Sequence, residues 1–451
     1  MAEEVDIIVI GLGVGGEEVG GKLAEAGLRV VGIEDTLVGG TCPYWGCIPS
    51  KMMIRAGNLL AEGGRIDGIA GTAQVMPDWA PVAARIRDEA TDDWDDKVAV
   101  DRFTGKGGIF VRGRGRIVGQ DRVVVGEREF TARRGTVVAT GTVAVVPPID
   151  GLAGTPFWTN KEAIEAKAAP ASMIVLGGGA IGLELAQSFA RFGTVVTVVE
   201  AGDRLLALEE PESSELAERA LAADGIEVRT GARATGVRHD GEAFTVTTTG
   251  GDVTAERLLV AVGRRVDTTG LGLDTVGLDP KAKAVEVDDR MRAGERLWAV
   301  GDVAGRGAFT HIAMYQAGIA IRDILGEPGP AADYKALPRV TFTDPEIGAV
   351  GLTEAQARER GIAVATGFAT TASSTRGWIH KAGNDGFIKV VADTARGVLV
   401  GATSAGPVGG EVLGALALAV HAETPIETLR SMIFAYPTFH RGISQAIEDL
   451  G

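Results

Sequence analysis

The whole thiol content of this 451-residue chain is two cysteines five positions apart, Cys42 and Cys47. In a reducing cytosol a structural disulfide is not expected, so a close pair reads as catalytic or metal-binding. Two thiolates cannot complete a tetrahedral zinc site, and none of the 5 histidines lies near them in sequence. A second kind of chemistry is written in glycine. Gly11, Gly13 and Gly16 form a G-x-G-x-x-G turn, and Gly177, Gly179 and Gly182 form another. With 65 glycines in the chain, chance alone supplies about one such match, so context must carry the reading.

The context is the same in both places. An apolar strand (Val5 to Ile10; Met173 to Leu176) enters the turn, a helix leaves it (Glu17 to Ala26; Leu183 to Phe192), and a second strand follows. That strand ends on an acid, Glu34 or Glu200, 23 positions after the first glycine in each copy. The first glycine permits the tight turn, the second lets backbone reach a pyrophosphate, and the third lets helix and strand pack closely. The pyrophosphate sits on the helix N-terminus, where free N–H groups and the helix dipole favour negative charge. The acid accepts from a ribose diol. Two such units imply two dinucleotides, Glu34 fitting the adenosine ribose of FAD. Glu200 favours NAD over NADP because a carboxylate repels a 2′-phosphate, with Arg204 close enough in sequence to compete with that preference.

The elements around these units set the fold class: α/β, with two Rossmann-like dinucleotide-binding domains and a C-terminal α+β domain. The expected boundaries are residues 1–147 and 266–332 for the two parts of the FAD domain, 148–265 for the NAD domain, and 333–451 for the last. Strand-and-turn segments Thr136 to Thr142, Leu258 to Arg264 and Leu297 to Asp302 close the nucleotide units. A net charge of -15 argues against nucleic acid or an anionic membrane surface as partner. The N-terminus is acidic where a signal peptide would be basic, and no stretch approaches the roughly 20 apolar residues of a membrane span, so a cytoplasmic location is expected.

The segment Gly39-Gly40-Thr41-Cys42-Pro43-Tyr44-Trp45-Gly46-Cys47-Ile48-Pro49-Ser50-Lys51 closely resembles the active-site segment of the flavoprotein disulfide reductases. This is the family of dihydrolipoamide dehydrogenase, glutathione reductase and mercuric reductase. The resemblance runs over essentially the whole chain and includes Ala139-Thr140-Gly141, Ala261-Val262-Gly263-Arg264, Gly301-Asp302 and Asp344-Pro345-Glu346. It implies a homodimer whose last domain forms the interface and whose active site is shared between subunits. It also implies a redox-active Cys42–Cys47 pair, with Cys47 against the flavin and Cys42 the outer thiol that meets substrate. Lys51 and Glu184 match the family's pair near flavin N5, and Asp302 matches the residue that binds the ribityl chain. Gly40, Thr41, Thr140, Gly141 and Gly263 fall in its cofactor-binding turns. Residues i and i+5 lie about 140° apart around a regular helix, so the pair requires a distorted first turn, which suits a reducible bridge. A helix N-terminus there lowers thiol pKa and makes thiolate available near neutral pH.

The sequence departs from the family at two places. Tyr44 and Trp45 stand between the cysteines where relatives carry smaller residues, either lining the substrate approach or packing. At the C-terminus the family's His-Pro-Thr-x-x-Glu is Tyr436-Pro437-Thr438-Phe439-His440-Arg441, so Tyr436 replaces the acid/base histidine and Arg441 its glutamate. Only His440 then offers a near-neutral pKa, and Tyr436 a hydroxyl. His311 lies where the resemblance puts a flavin-facing helix start; His239, His380 and His421 have no motif. The expected activity passes electrons between NAD(H), NADP(H) less so, and a small-molecule disulfide or dithiol, in either direction. The alternatives are a quinone reductase or transhydrogenase-like flavoprotein, or a non-catalytic NADH-sensing binder.

Overall fold

The computed structural model describes residues 2–450, and the chain divides into two compact units. One comprises residues 1–49, 84–145 and 263–333; the other comprises 50–83, 146–262 and 334–451.

The first unit is built on the strand Glu3–Ile10, whose continuous buried run Ile7 to Ile10 is that of a parallel strand covered on both faces. It pairs in parallel with Val30–Glu34 on one side and Arg128–Val138 on the other. Ile109–Arg112 and Leu297–Ala299 extend the sheet outward, also in parallel. Strand order therefore reverses at Glu3–Ile10, and a crevice for ligand opens at the carboxyl ends of such strands. The helix Val14–Glu25 begins three residues earlier than the sequence pattern suggests. The reason is steric: a Cβ on Gly16 would overlap the Gly11 carbonyl, so the third glycine belongs to the first helical turn. Phe103, fully buried, fills space left by Gly20, Gly32 and Gly108, where an added Cβ would fall 2.9, 2.7 and 2.5 Å from its ring.

The second unit holds a smaller parallel sheet in the order Glu227–Arg229, Val195–Val199, Ser172–Leu176, Arg257–Val260. Its glycine helix, Ala180–Arg191, again starts inside the motif, with Gly182 set against the Gly177 carbonyl. Trp79 stacks on Phe189 at 4.8 Å and donates its indole N–H to Ala166 O at 2.8 Å, pinning residues 50–83 to this sheet's helix layer. A three-stranded antiparallel sheet, Ala234–His239, Phe244–Thr248 and Gly251–Ala255, is an element the sequence reading did not resolve. The C-terminal part is a five-stranded antiparallel sheet (338–341, 346–351, 398–406, 387–393, 364–370). Helices Gly409–His421 and Arg441–Glu448 pack on it. Lys389 on the strand Phe387–Asp393 is buried among Glu210, Glu212 and Glu354, at 3.1, 2.9 and 3.2 Å.

Candidate active site

The cysteines stand on either side of a helix break. Thr41–Trp45 is one short helical segment, Cys47–Gly64 the next, and Gly46 between them has φ -133° and ψ -124°. A Cβ on Gly46 would lie 3.0 Å from Thr41 O and 3.2 Å from Cys42 Cα, so any larger residue would press this tight fold-back outward. The fold-back is the distorted turn that the five-residue spacing demands, and it brings the two thiols into hydrogen-bond contact. Both are unbridged, Cys42 half-buried and Cys47 exposed at the start of its 18-residue helix. Cys47 Sγ lies 3.5 Å from Thr310 Oγ1, the first residue of the helix Thr310–Leu325. Thr310 carries no motif and the sequence reading missed it.

The surroundings hold Cys42 back from ionising. Its hydrogen bond with Cys47 pushes the thiol up, and burial pushes it further, while Thr310 only partly offsets them. Tyr44 is buried and accepts at its carbonyl from Trp94 Nε1 at 3.2 Å, so its role is packing.

Four residues along the same helix from Cys47 stands Lys51. Its ammonium donates to Glu184 Oε2 at 2.7 Å, joining residues 133 positions apart in sequence. The other oxygen of this buried carboxylate accepts from Phe342 N–H at 2.9 Å, and Lys51 sits 4.5 Å above the Phe342 ring. The pair anticipated from sequence is thus formed. Phe342, its third member, carried no signal.

Both glycine turns have the shape of a pyrophosphate cradle. At Gly11 (φ 90°) a Cβ would sit 2.5 Å from Ala139 O and 3.0 Å from Thr140 N, and at Gly177 (φ 110°) 2.5 Å from Ala261 O. These glycines are held against backbone. The middle ones are open: Gly13 has nothing nearer than Gly40 Cα at 4.0 Å, and Gly179 nothing within 4 Å. Neither helix that follows has a side-chain cap, leaving first-turn N–H groups for a ligand. Gly40 (φ 69°) closes on Gly13 from the Thr41 helix, and Gly141 (φ 67°) and Gly263 (φ 121°) are open turns. Glu34 accepts from Leu12 N–H at 2.7 Å and from Thr36 N–H and Oγ1 at 2.9 and 2.7 Å. Glu200 accepts from Gly178 and Gly202 N–H at 2.6 and 2.5 Å. Each acid is locked beside its turn with lone pairs remaining for a ribose diol. The residues present therefore fit two dinucleotides.

Two further residues complete the picture. Asp302 accepts from Thr142 Oγ1 at 2.6 Å, and Arg264 donates to Thr142 Oγ1 and O at 2.8 and 2.6 Å. Burial holds the Arg264 guanidinium below its ordinary pKa, with Asp302 partly restoring it. Arg204 spends its guanidinium on Leu206 O, Ser214 Oγ, Ala207 O and Glu209 O. It clasps its own loop and does not compete with Glu200.

The C-terminal departure lies on the surface of the second unit. His440 is exposed at the N-cap of Arg441–Glu448, and Tyr436, 63% exposed, donates to Thr375 Oγ1 at 3.3 Å. Each of His239, His311 and His380 lies against a phenylalanine ring. Among the described residues no helix is long and apolar enough to cross a membrane.

The profile of the pyridine nucleotide-disulphide oxidoreductases matches residues 5–317, and that of their dimerisation domain matches residues 337–447. The dihydrolipoyl dehydrogenase of Haloferax volcanii is 32% identical, covering 100% of this chain and 97% of that one. The mercuric reductase of Acidithiobacillus ferrooxidans is 35% identical, covering 99% and 82%. Among solved structures, the HOCl-induced flavoprotein disulfide reductase RclA from Escherichia coli superposes with TM-score 0.87 at 26% identity, covering 98% and 99%. LpdA from Mycobacterium tuberculosis gives TM-score 0.87 at 25% identity over 100% of both chains. The chain belongs to the pyridine nucleotide-disulphide oxidoreductases, flavoproteins that use FAD and NAD(P)H with a redox-active disulfide and carry a dimerisation domain.

Proposed function

We propose that this protein is an NADH-dependent reductase of a small-molecule disulfide, working in the cytoplasm as a homodimer through Cys42 and Cys47. The observation that carries the reading is the Gly46 fold-back, which sets the two thiols in contact beside an open glycine cradle of the same unit. Bound FAD supplies the two-electron relay between nicotinamide and sulfur. Gly11, Gly13, Gly16, Glu34, Gly40, Thr41, Thr140, Gly141 and Asp302 would hold it; Gly177, Gly179, Gly182, Glu200 and Gly263 would hold NADH. Lys51, held in place by its ion pair with Glu184, supplies a positioned positive charge.

The sulfur steps belong to the chain itself. Cys42 passes its proton to Cys47 and attacks one substrate sulfur. The substrate S–S bond breaks, a mixed disulfide forms, and the first thiolate leaves and is protonated. Cys47 then gives up the proton it took and attacks the Cys42 sulfur; the bond between Cys42 and substrate breaks, the Cys42–Cys47 bond forms, and the second thiolate takes that proton and leaves as thiol. In sum, NADH, H⁺ and RSSR become NAD⁺ and two RSH. Protonation of the leaving thiolate falls to His440 and Tyr436 of the partner protomer. Exposed Trp378 and Ile433, at 73% and 98%, supply apolar surface for a subunit contact.

A second reading has one observation in its favour. Tyr436 and Arg441 stand where the family has His and Glu, and a quinone or second nicotinamide needs no leaving thiolate protonated. Replacing Cys42 by Ser separates the two. NADH-driven disulfide reduction is expected to fall at least about 10³-fold. Turnover of a quinone that survives while wild type shows no disulfide reduction would move the assignment to the second reading.

A further inference from the structure

The surface around Tyr436 holds a pocket whose two arginines the sulfur chemistry does not use. It is open and shallow, with a cavity volume of about 20 Å³, and its lining includes Thr375, Arg376, Tyr436, Thr438, Arg441 and Gln445. No carboxylate lines it. That is room for little more than a water-sized group, so it suits one small polar substituent of a larger molecule and not a whole ligand.

Its hydroxyls at Tyr436 and Thr438 donate to Thr375 Oγ1 and Ala435 O, but its two guanidiniums are uncommitted. Arg376 sits over the Phe439 ring at 5.5 Å and Arg441 over the Tyr436 ring at 5.3 Å. Among the described residues neither guanidinium is in a salt bridge. A ring face positions a guanidinium without neutralising it, whereas a carboxylate would cancel the charge and occupy its N–H fork. Thr375 accepts from Tyr436, which leaves its own hydroxyl proton to donate. The pocket thus combines two uncancelled positive forks and a hydroxyl donor, on a protein whose net charge of -15 repels anions elsewhere.

We propose that this pocket is an oxyanion subsite, and that the disulfide reduced by this protein carries a carboxylate or phosphate that Arg376 and Arg441 grip. The assignment rests on the reading above, in which the Tyr436–Arg441 segment of one protomer completes the cysteine site of its partner. Replacement of the family's glutamate by Arg441 is then a change of substrate charge: the position no longer holds a base in place but recognises an anion.

The test compares two chromogenic disulfides with the holoenzyme and NADH, the carboxylated dithiobis(nitrobenzoate) and the uncharged dithiodipyridine. The quantity read is the ratio of their kcat/KM values. In Arg376→Met and Arg441→Met together, this ratio is expected to fall at least about tenfold, mainly through KM of the carboxylated substrate. Each single variant should fall part-way, and Arg→Lys at either position should restore part of the loss. Calorimetric binding of succinate, a dicarboxylate without sulfur, should likewise be lost in the double variant. An unchanged ratio with unchanged succinate binding overturns the subsite, as does an equal loss on both disulfides in a protein that melts normally. If wild type reduced neither disulfide, the reading of the cysteine pair would fall instead. Succinate binding that depends on the two arginines would then still uphold the subsite, and its independence of them would overturn it.

Discussion

The two sulfurs differ in what they can do because they share a proton. Cys42 is pushed up first by Cys47 and then by burial, so it parts with its proton less readily than an ordinary thiol. Removing the partner sulfur removes the larger cause. In Cys47→Ala the midpoint for alkylation of Cys42 by iodoacetamide, followed against pH in the reduced protein, is expected to move down relative to wild type. A midpoint that stayed put or rose would mean that burial alone governs this thiol. The same shared proton makes exchange with substrate favour alkaline solution, since Cys42 must be deprotonated as it attacks. Legibility at this scale was uneven. Lys51 and Glu184 were found from motif register although 133 residues separate them. Thr310, Phe342 and Thr142 were not found, because hydroxyls and rings that touch a site through folding alone leave no spacing in the chain. The upward push on Cys42 was not read at all: a helix terminus is visible in sequence, whereas a neighbouring sulfur acts only once the turn has closed.

At the scale of elements, a single glycine decides whether the cysteines meet. The break at Gly46 is enforced by backbone on both sides, Thr41 O and Cys42 Cα, neither of which can give way cheaply. Gly46→Ala is expected to lower NADH-driven disulfide reduction by roughly 3- to 10-fold, since the added Cβ must push Thr41 and Cys42 aside next to the reacting sulfurs. The flavin content, read from the visible spectrum of the purified protein, should be nearly unchanged. Loss of flavin together with activity would show that the turn supports the cradle and not the pair. The need for a distorted turn was legible in the five-residue spacing. Its location was not, because several residues between the cysteines could have carried the break. The helix starts were misplaced by three residues at Val14 and Ala180 for a related reason. Glycine reads as a loop in sequence, yet here Gly16 and Gly182 are helical residues chosen for their closeness to a carbonyl.

At the scale of the whole molecule, the α/β class and the repeated strand–glycine–helix unit were legible because parallel strands are long apolar runs and their turns need glycine. The sheet of residues 234–255 was not, since its strands are five or six residues long and one carries a register shift. Nor was the ion cluster that ties the helix Pro211–Ala223 to the strand Phe387–Asp393. Burial works against the charge on Lys389, but Glu212, Glu210 and Glu354 outweigh it and raise its pKa. A lysine pKa raised by folding contributes stability below the unfolded value and loses it as pH rises through the folded one. This contribution is therefore intact at neutral pH and disappears only in strongly alkaline solution. Lys389→Met would leave buried Glu210 facing the part-exposed Glu212 and Glu354, a cost of about 1–3 kcal/mol once solvent screening is allowed for. The melting transition should drop by several degrees, and adding Glu210→Gln should recover part of it. No drop would mean that water solvates the cluster.

The electron path itself is tested by counting thiols. Anaerobic holoenzyme, as oxidised, would be quenched with iodoacetamide before and after one equivalent of NADH per protomer, and Cys42 and Cys47 read separately by peptide mass. The expected result is no label on either cysteine before NADH and label on both after it. Equal labelling in the two samples would contradict a redox-active pair, whatever reductase activity the protein showed.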